Sequence, residues 1–265
     1  MPLDFVLVRH GQSEGNVASH ASRRGDDSLF TPEFRARHSW QWRLSDLGIA
    51  QAKAAGEWLR GEFGEFDRYY TSAYLRAKET AYYLGFEDSE WGQEIYLRER
   101  DHGDIDSMPL SEREARYAES MRVEKMDPLF WSPPNGESLA QLCLRADRIL
   151  DTIHRDPAQR VAVVCHGVLM WAFRIRLERI SLDEFNILDA DPSERIKNCQ
   201  ILHYSRIDPE TRGSAEPAVA PYLNWVRAIA PYDGDYGDWR PIVRRRLSNA
   251  DLLADVESVQ RLIDG

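Results

Sequence analysis

Two short apolar runs constrain this chain more than anything else in it, because each ends in His-Gly. Leu3 to Val8 runs into Arg9-His10-Gly11, and Val161 to Cys165 runs into His166-Gly167. A short continuous apolar run bounded by a breaker reads as a buried strand. In an open parallel sheet, ligands bind beyond the carboxyl ends of the strands. Both imidazoles then belong to one rim. Each glycine lets backbone come close to a ligand, and a helix start beyond it offers free N–H groups to an anion. One such unit is weak evidence, since a solitary histidine is more often structural. Two units at matching positions point to a site.

The rest of the chain alternates strand and helix. Ser45 to Phe63 reads as a helix with Ser45 as N-cap and Leu47, Ala50, Ala54, Trp58 and Leu59 on one stripe. Arg68–Thr71 reads as a strand, Tyr74–Leu84 as a helix and Glu94–Leu97 as a further strand. Ser111 with Glu114 matches a capping box opening a charged helix to about Lys125. Trp131–Gly136 is a turn, and Glu137–Arg155 a helix with Leu139, Leu142, Ala146, Ile149 and Ile153 facing inward. Val168–Arg179 continues as a helix, Ser181 with Glu184 caps a short one, and Cys199–Ser205 is a strand. Asp208–Pro217 reads as a turn, Pro231–Arg246 as irregular and Ser248–Ile263 as a terminal amphipathic helix. The polar stretch from Asn16 to Trp42 has no clean period. This order predicts an α/β fold: a mostly parallel sheet with helices on both faces. The expected organisation is one domain over 1–265, with 17–42 as an inserted loop or lid. Residues 206–265 would form a C-terminal extension packed on that domain.

Charge narrows the partners. A formal net charge of -10 argues against nucleic acid and against an anionic membrane surface. A basic pocket can still exist inside an acidic protein. Lys53, Lys78, Lys125 and Lys197 are the only lysines, so nearly all positive charge is arginine, whose planar fork fits phosphate. Cys143, Cys165 and Cys199 lie far apart in apolar surroundings and read as free thiols of a reducing compartment. No apolar run is long enough to span a bilayer, and the expected location is cytoplasmic. Nothing in the sequence specifies an oligomeric state.

Two more residues join the rim. Arg76 falls in the first turn of the helix after Arg68–Thr71, where a cation opposes the helix dipole and a bound anion would explain it. Glu99 follows the fourth strand and can reach the same rim, although composition alone would make it a solvated charge. Asp101–Asp106 fits no common metal-ligand spacing and reads as a polar loop. Arg244-Arg245-Arg246 reads as a surface run.

Taken together, several segments resemble the histidine phosphatase superfamily in its phosphoglycerate-mutase-like branch. They are Leu7–Asn16, Leu44–Ala52, Tyr70–Ala81, Leu97–Arg100, Asn135–Ser138 and Val164–Gly167, in order and spacing. They extend to about Ser205 and leave out Val17–Trp42 and the tail. The resemblance implies a three-layer α/β/α sandwich of the phosphoglycerate-mutase type. It gives His10 the role of nucleophile, forming a phosphohistidine. Arg9, Arg76 and His166 match phosphate-binding positions, and Asn16 a pocket residue; Gly11 and Gly167 would lie against the substrate. Glu99 matches the general acid and Glu137 a residue that holds the pocket. The implied substrate is a small phosphorylated molecule, with no cofactor and no metal.

The family contains phosphatases and cofactor-dependent mutases. Mutases carry a short stretch containing Phe-Thr-Gly-Trp after the first motif; here Val17–Trp42 replaces it, and Asp101–Asp104 replaces the mutase continuation after Arg100. Both departures point to a hydrolase, with a mutase as the alternative. A phosphate-binding module without catalysis would be expected to have lost His10 or Glu99. Arg23, Arg24, Arg35, Arg37 and His38 in the insertion are candidates to overhang the pocket and select an anionic substrate.

Overall fold

The computed structural model describes residues 1–263. Its centre is one sheet in which β1 (Asp4–Arg9) and β4 (Arg160–Cys165) run side by side and parallel, with Arg9 level with Cys165. β2 (Arg68–Ser72) lies parallel to β4, and β3 (Trp91–Glu94) parallel to β2 at one edge. Beyond β1 the pairing turns antiparallel through β5 (Ile201–Ser205) and β6 (Trp225–Ala230). The short β7 (Asp235–Tyr236) and β8 (Arg240–Pro241) complete it against β6. The strands carrying the two His-Gly units are thus neighbours at the parallel heart of the sheet.

The pleat of β1 sorts the interior. Phe5 and Leu7 point to one core with α6 (Leu139–Arg155) and α7 (Gly167–Glu178). Val6 and Val8 point to the other, with α3 (Asp46–Phe63) and α4 (Leu75–Tyr83). Helices therefore cover both faces, as an α/β/α sandwich requires. Local chemistry sets the helix ends. Ser45 Oγ accepts from Gly48 N at 3.1 Å to start α3, and Gly64, at φ +68°, closes it. Ser138 and Gln141 form a reciprocal capping box on α6, whose stripe Leu139, Leu142, Ala146, Ile149 and Ile153 is buried.

Some elements differ from the sequence reading. Within Asn16–Trp42 the chain forms two helices, α1 (Glu14–Ser22) and α2 (Pro32–Ala36), and a single turn at Ser39–Gln41. The box that opens α1 is Ser13 with Asn16, not the Ser-x-x-Glu signature. Of Glu94–Leu97 only Glu94 is strand, because its side chain caps Tyr96 N and turns Ile95–Leu97 into a 3₁₀ helix. α5 (Leu110–Met126) has Pro109 at its N-cap position, two residues before Ser111, whose Oγ donates to Asp27 instead of capping. β6 has no counterpart in the sequence reading, and Pro231–Arg246 holds β7 and β8. Arg244 donates to Asn224 and to the carbonyls of Leu177 and Leu223, so it ties the tail down. α8 (Leu182–Ala190), ahead of β5, buries Phe185, whereas α9 (Asn249–Glu257) in the tail buries nothing. Among the described residues no helix is long and apolar enough to cross a membrane.

Candidate active site

His10 is the first residue past β1 and takes its place from the sheet, its N–H donating to Cys165 O at 2.9 Å. Its ring is held at both nitrogens. Nδ1 lies 2.7 Å from Gly11 O, a group that can only accept. Nε2 lies 3.1 Å from Arg76 Nε, a group that can only donate. The proton therefore sits on Nδ1 and the lone pair on Nε2. Burial, with the positive charges of Arg76 and Arg9, pushes the His10 pKa well below that of a free imidazole, against a small opposing effect of the Gly11 carbonyl.

His166 stands edge-on to His10, ring centres 5.1 Å apart. It occupies the N-cap position of α7 but makes no capping bond, and its Nε2 meets Ser72 Oγ at 2.8 Å instead. Its Nδ1 is buried without a hydrogen-bond partner, as is Arg9 Nε. Burial first, then Arg76, His10 and Arg9, push its pKa far down as well. Arg76 reaches back from the first turn of α4, donates from Nη1 to Ser39 O at 2.7 Å and lies over the Tyr74 ring. The insertion thus touches the same guanidinium as His10.

These groups open on a cavity of about 180 Å³. Arg9, His10, Asn16, Arg76 and Glu99 line it, joined by Arg23, Arg100, Arg113, His102 and Asp106. Five arginines against two carboxylates make a positive hollow in a chain of net charge -10. His166 stands beside His10 and is wholly buried. The two glycines serve the backbone: a Cβ on Gly11 would overlap the Gly48 carbonyl, and one on Gly167 would come within 3.1 Å of Arg9 Nε. Gly11 therefore lets two chain segments cross, while Gly167 leaves room for Arg9. Asn16 Oδ1 is shared between the Ser13 cap and Asn198 Nδ2, which also donates to His10 O at 3.0 Å.

Glu99 sits opposite, its Oε1 accepting from Arg100 N at 2.8 Å. Its loop is fastened from α6. Arg145, buried, donates to the carbonyls of Tyr96, Arg98 and Glu99, while a two-pronged ion pair holds it to Glu137 at 2.8 and 2.7 Å. Glu137 thus acts on the pocket through Arg145. Sequence reasoning missed Arg145, Asn198 and Arg113, because none of them follows a strand end and tertiary contacts alone bring them to the pocket. It passed over His102 and Asp106 as a polar loop, although Gly103, at φ +50°, marked a turn there. Of the insertion's cations, Arg23 reaches the cavity. Arg35 pairs with Glu112 and Arg37 with Glu14 on the outside.

The model of the histidine phosphatase superfamily (branch 1) matches residues 5–201. A 2,3-bisphosphoglycerate-dependent phosphoglycerate mutase of Azorhizobium caulinodans is 32% identical over 189 residues, 67% of this chain and 82% of that protein. A mycobacterial glucosyl-3-phosphoglycerate phosphatase superposes with a TM-score of 0.61 at 21% identity, over 91% of this chain and 97% of its own. Bacillus stearothermophilus YhfR superposes at 0.62 with 23% identity, over 82% and 95%. At those identities the structural likeness speaks for the fold.

Proposed function

The chain belongs to branch 1 of the histidine phosphatase superfamily, and on that footing we propose that it hydrolyses a small phosphomonoester through a phosphohistidine on His10, without a metal. The observation that carries this reading is the His10 ring, with Nδ1 pinned to Gly11 O and its lone pair on Nε2 at the wall of an arginine-lined cavity.

In the first half-reaction, Nε2 attacks phosphorus in line. The N–P bond forms as the P–O bond to the alcohol breaks. Arg76 gives up its contact with Nε2 and passes that N–H to a phosphoryl oxygen. The partnerless Arg9 Nε and His166 Nδ1 supply further donors, with Ser72 Oγ–H bonding His166 Nε2 to keep the proton on Nδ1. Glu99 gives its proton to the leaving alkoxide. In the second half-reaction the Glu99 carboxylate takes a proton from water, whose oxygen attacks phosphorus and releases inorganic phosphate and free His10. Arg145 and Glu137 keep the Glu99 loop in place.

The replacement of the mutase stretch by residues 17–42 supports water as the acceptor, and we assign those residues the part of a lid. A mutase has two observations in its favour: the curated relatives carry that name, and the cavity holds more cations than one phosphate needs. Three buried free thiols support a reducing, cytoplasmic setting.

The test is incubation with p-nitrophenyl phosphate in EDTA, followed by acid-labile phosphate on the protein. Release that persists in EDTA, with label lost in His10→Ala, is expected. Interconversion of phosphoglycerates that requires a bisphosphate primer would transfer the assignment to the mutase.

A further inference from the structure

One phosphoryl group leaves part of the cavity's charge unused. Arg9, Arg76 and His166 suffice for it, and Arg100 is occupied by the carbonyls of Glu137 and Trp131. Arg23 and Arg113 remain, both on the cavity wall. Neither forms an ion pair among the described residues, whereas Arg35, Arg37 and Arg43 close by are all paired.

The fold brings these two onto the wall of one cavity. Ser22 Oγ accepts from Leu110 N at 2.7 Å, so the C-terminal end of α1 abuts the N-terminal end of α5. Arg23 is the residue after that contact and Arg113 lies one turn beyond it. The Arg113 Nε–H is spent on Met108 O at 2.9 Å, which fixes the guanidinium and leaves its Nη groups. Burial weakens the Arg113 proton affinity, Asp106 on the same wall opposes that, and the charge of Arg23 weakens it further. Two like charges held on one wall repel each other unless an anion lies between them.

We propose that Arg23 and Arg113 form a second anion subsite, so that the substrate is a phosphomonoester bearing a further anionic group, a carboxylate or a second phosphate. This rests on the phosphoryl site assigned to His10. Asp106 limits the subsite to groups that meet the guanidinium forks and not its own carboxylate.

Calorimetric binding of phosphonates tests it without turnover. The probes are propylphosphonate, 3-phosphonopropionate, which adds a carboxylate, and propane-1,3-diphosphonate, which adds a second phosphonate. The wild-type chain is expected to bind one of the two doubly charged probes roughly ten- to hundredfold more tightly than propylphosphonate. Whichever gains more identifies the second group. In Arg23→Ala and in Arg113→Ala that ratio falls about tenfold, and Arg113→Lys restores part of it. The ratio is internal to each variant, so loss of folded protein does not imitate the result. Equal affinities for all three probes, or variants that leave the ratio unchanged, overturn the subsite. The hydrolase reading falls separately, if p-nitrophenyl phosphate is not hydrolysed while the ratio stands. Failure of every probe to bind overturns the subsite together with the phosphoryl site.

Discussion

β1 carries an ionisable cluster at each end, on the same face of the sheet and about 20 Å apart. At its start Asp4 is buried and accepts from His203 Nε2 at 2.8 Å and Arg212 Nη2 at 2.7 Å. At its finish His10 and His166 stand with Arg9 and Arg76. Both ends use buried imidazoles and arginines, but only the first has a carboxylate among them. His203 is saturated: its other nitrogen accepts from Arg227 Nε at 3.3 Å, and the rings of Phe63 and Trp239 seal it. At the rim His166 Nδ1 and Arg9 Nε are buried without partners, and the Glu99 carboxylate on the cavity wall is turned to the backbone N–H groups of Arg100 and Val168. With a carboxylate among them these residues are structure, Arg212 Nε alone staying without a partner; the same residue types with no carboxylate among them make a receptor for an anion.

The comparison breaks most sharply by substitution. His10→Ala is expected to lower kcat for p-nitrophenyl phosphate by about 10⁴-fold or more, because it removes the nitrogen that attacks phosphorus in the proposed first half-reaction. The circular-dichroism melt should stay cooperative. Asp4→Ala should do the reverse. It leaves Arg212 and His203 without their anion and costs about 3–5 kcal/mol in urea unfolding, while kcat of the folded fraction changes less than twofold. Loss of activity in Asp4→Ala without loss of stability would show that the two ends are not independent.

How much of this contrast was legible follows from where each group sits. His10 and His166 announce themselves because a strand, a His-Gly and a helix form one local unit, twice. Arg76 and Glu99 follow two further strand ends. The network at the other end is invisible in sequence, since Asp4, His203 and Arg212 are 199 and 208 residues apart in their pairings and share no periodicity. For the same reason β6 was unreadable: it alternates Val226 with Arg227, and the arginine turns out to pair with Glu62 and cover Trp58 and Trp239. The Ser111 box failed because Asp27, distant in sequence, claimed its hydroxyl. Local signals survive where no tertiary partner competes for the same atom.

Acid sharpens the contrast further. Burial pushes the His203 pKa down to about 4, although Asp4 pulls the other way. Between that value and the usual 6.5 the unfolded chain binds a proton that the folded chain refuses. Stability is therefore complete above pH 6.5 and is lost as pH falls toward 4, by on the order of 3 kcal/mol from this group. His10 and His166, also held neutral, act in the same direction. Urea midpoints at pH 7.5, 5.5 and 4.5 measure the slope. Inorganic phosphate should steepen the difference between the ends, stabilising by binding at the rim alone. A flat profile from pH 7.5 to 4.5 would contradict the buried neutral imidazoles.

The smallest expected effect concerns the cover that only the rim possesses. The wall carrying Arg23 and Arg113 hangs on few bonds: Ser22 Oγ to Leu110 N and to Asp27, Ser111 to Asp27, and Arg35 to Glu112. Ser22→Ala deprives Leu110 N of its acceptor and Asp27 of one donor. One such bond is worth about 1 kcal/mol net, a small shift for the whole fold, but concentrated where α1 meets α5. If the wall positions substrate, KM for a doubly charged ester rises several-fold while kcat stays within twofold, since His10, Arg76 and Glu99 are anchored elsewhere. A loss confined to the unfolding midpoint, with KM unchanged, would make Ser22 a packing residue and return the rim's cover to the same structural footing as the cluster around Asp4.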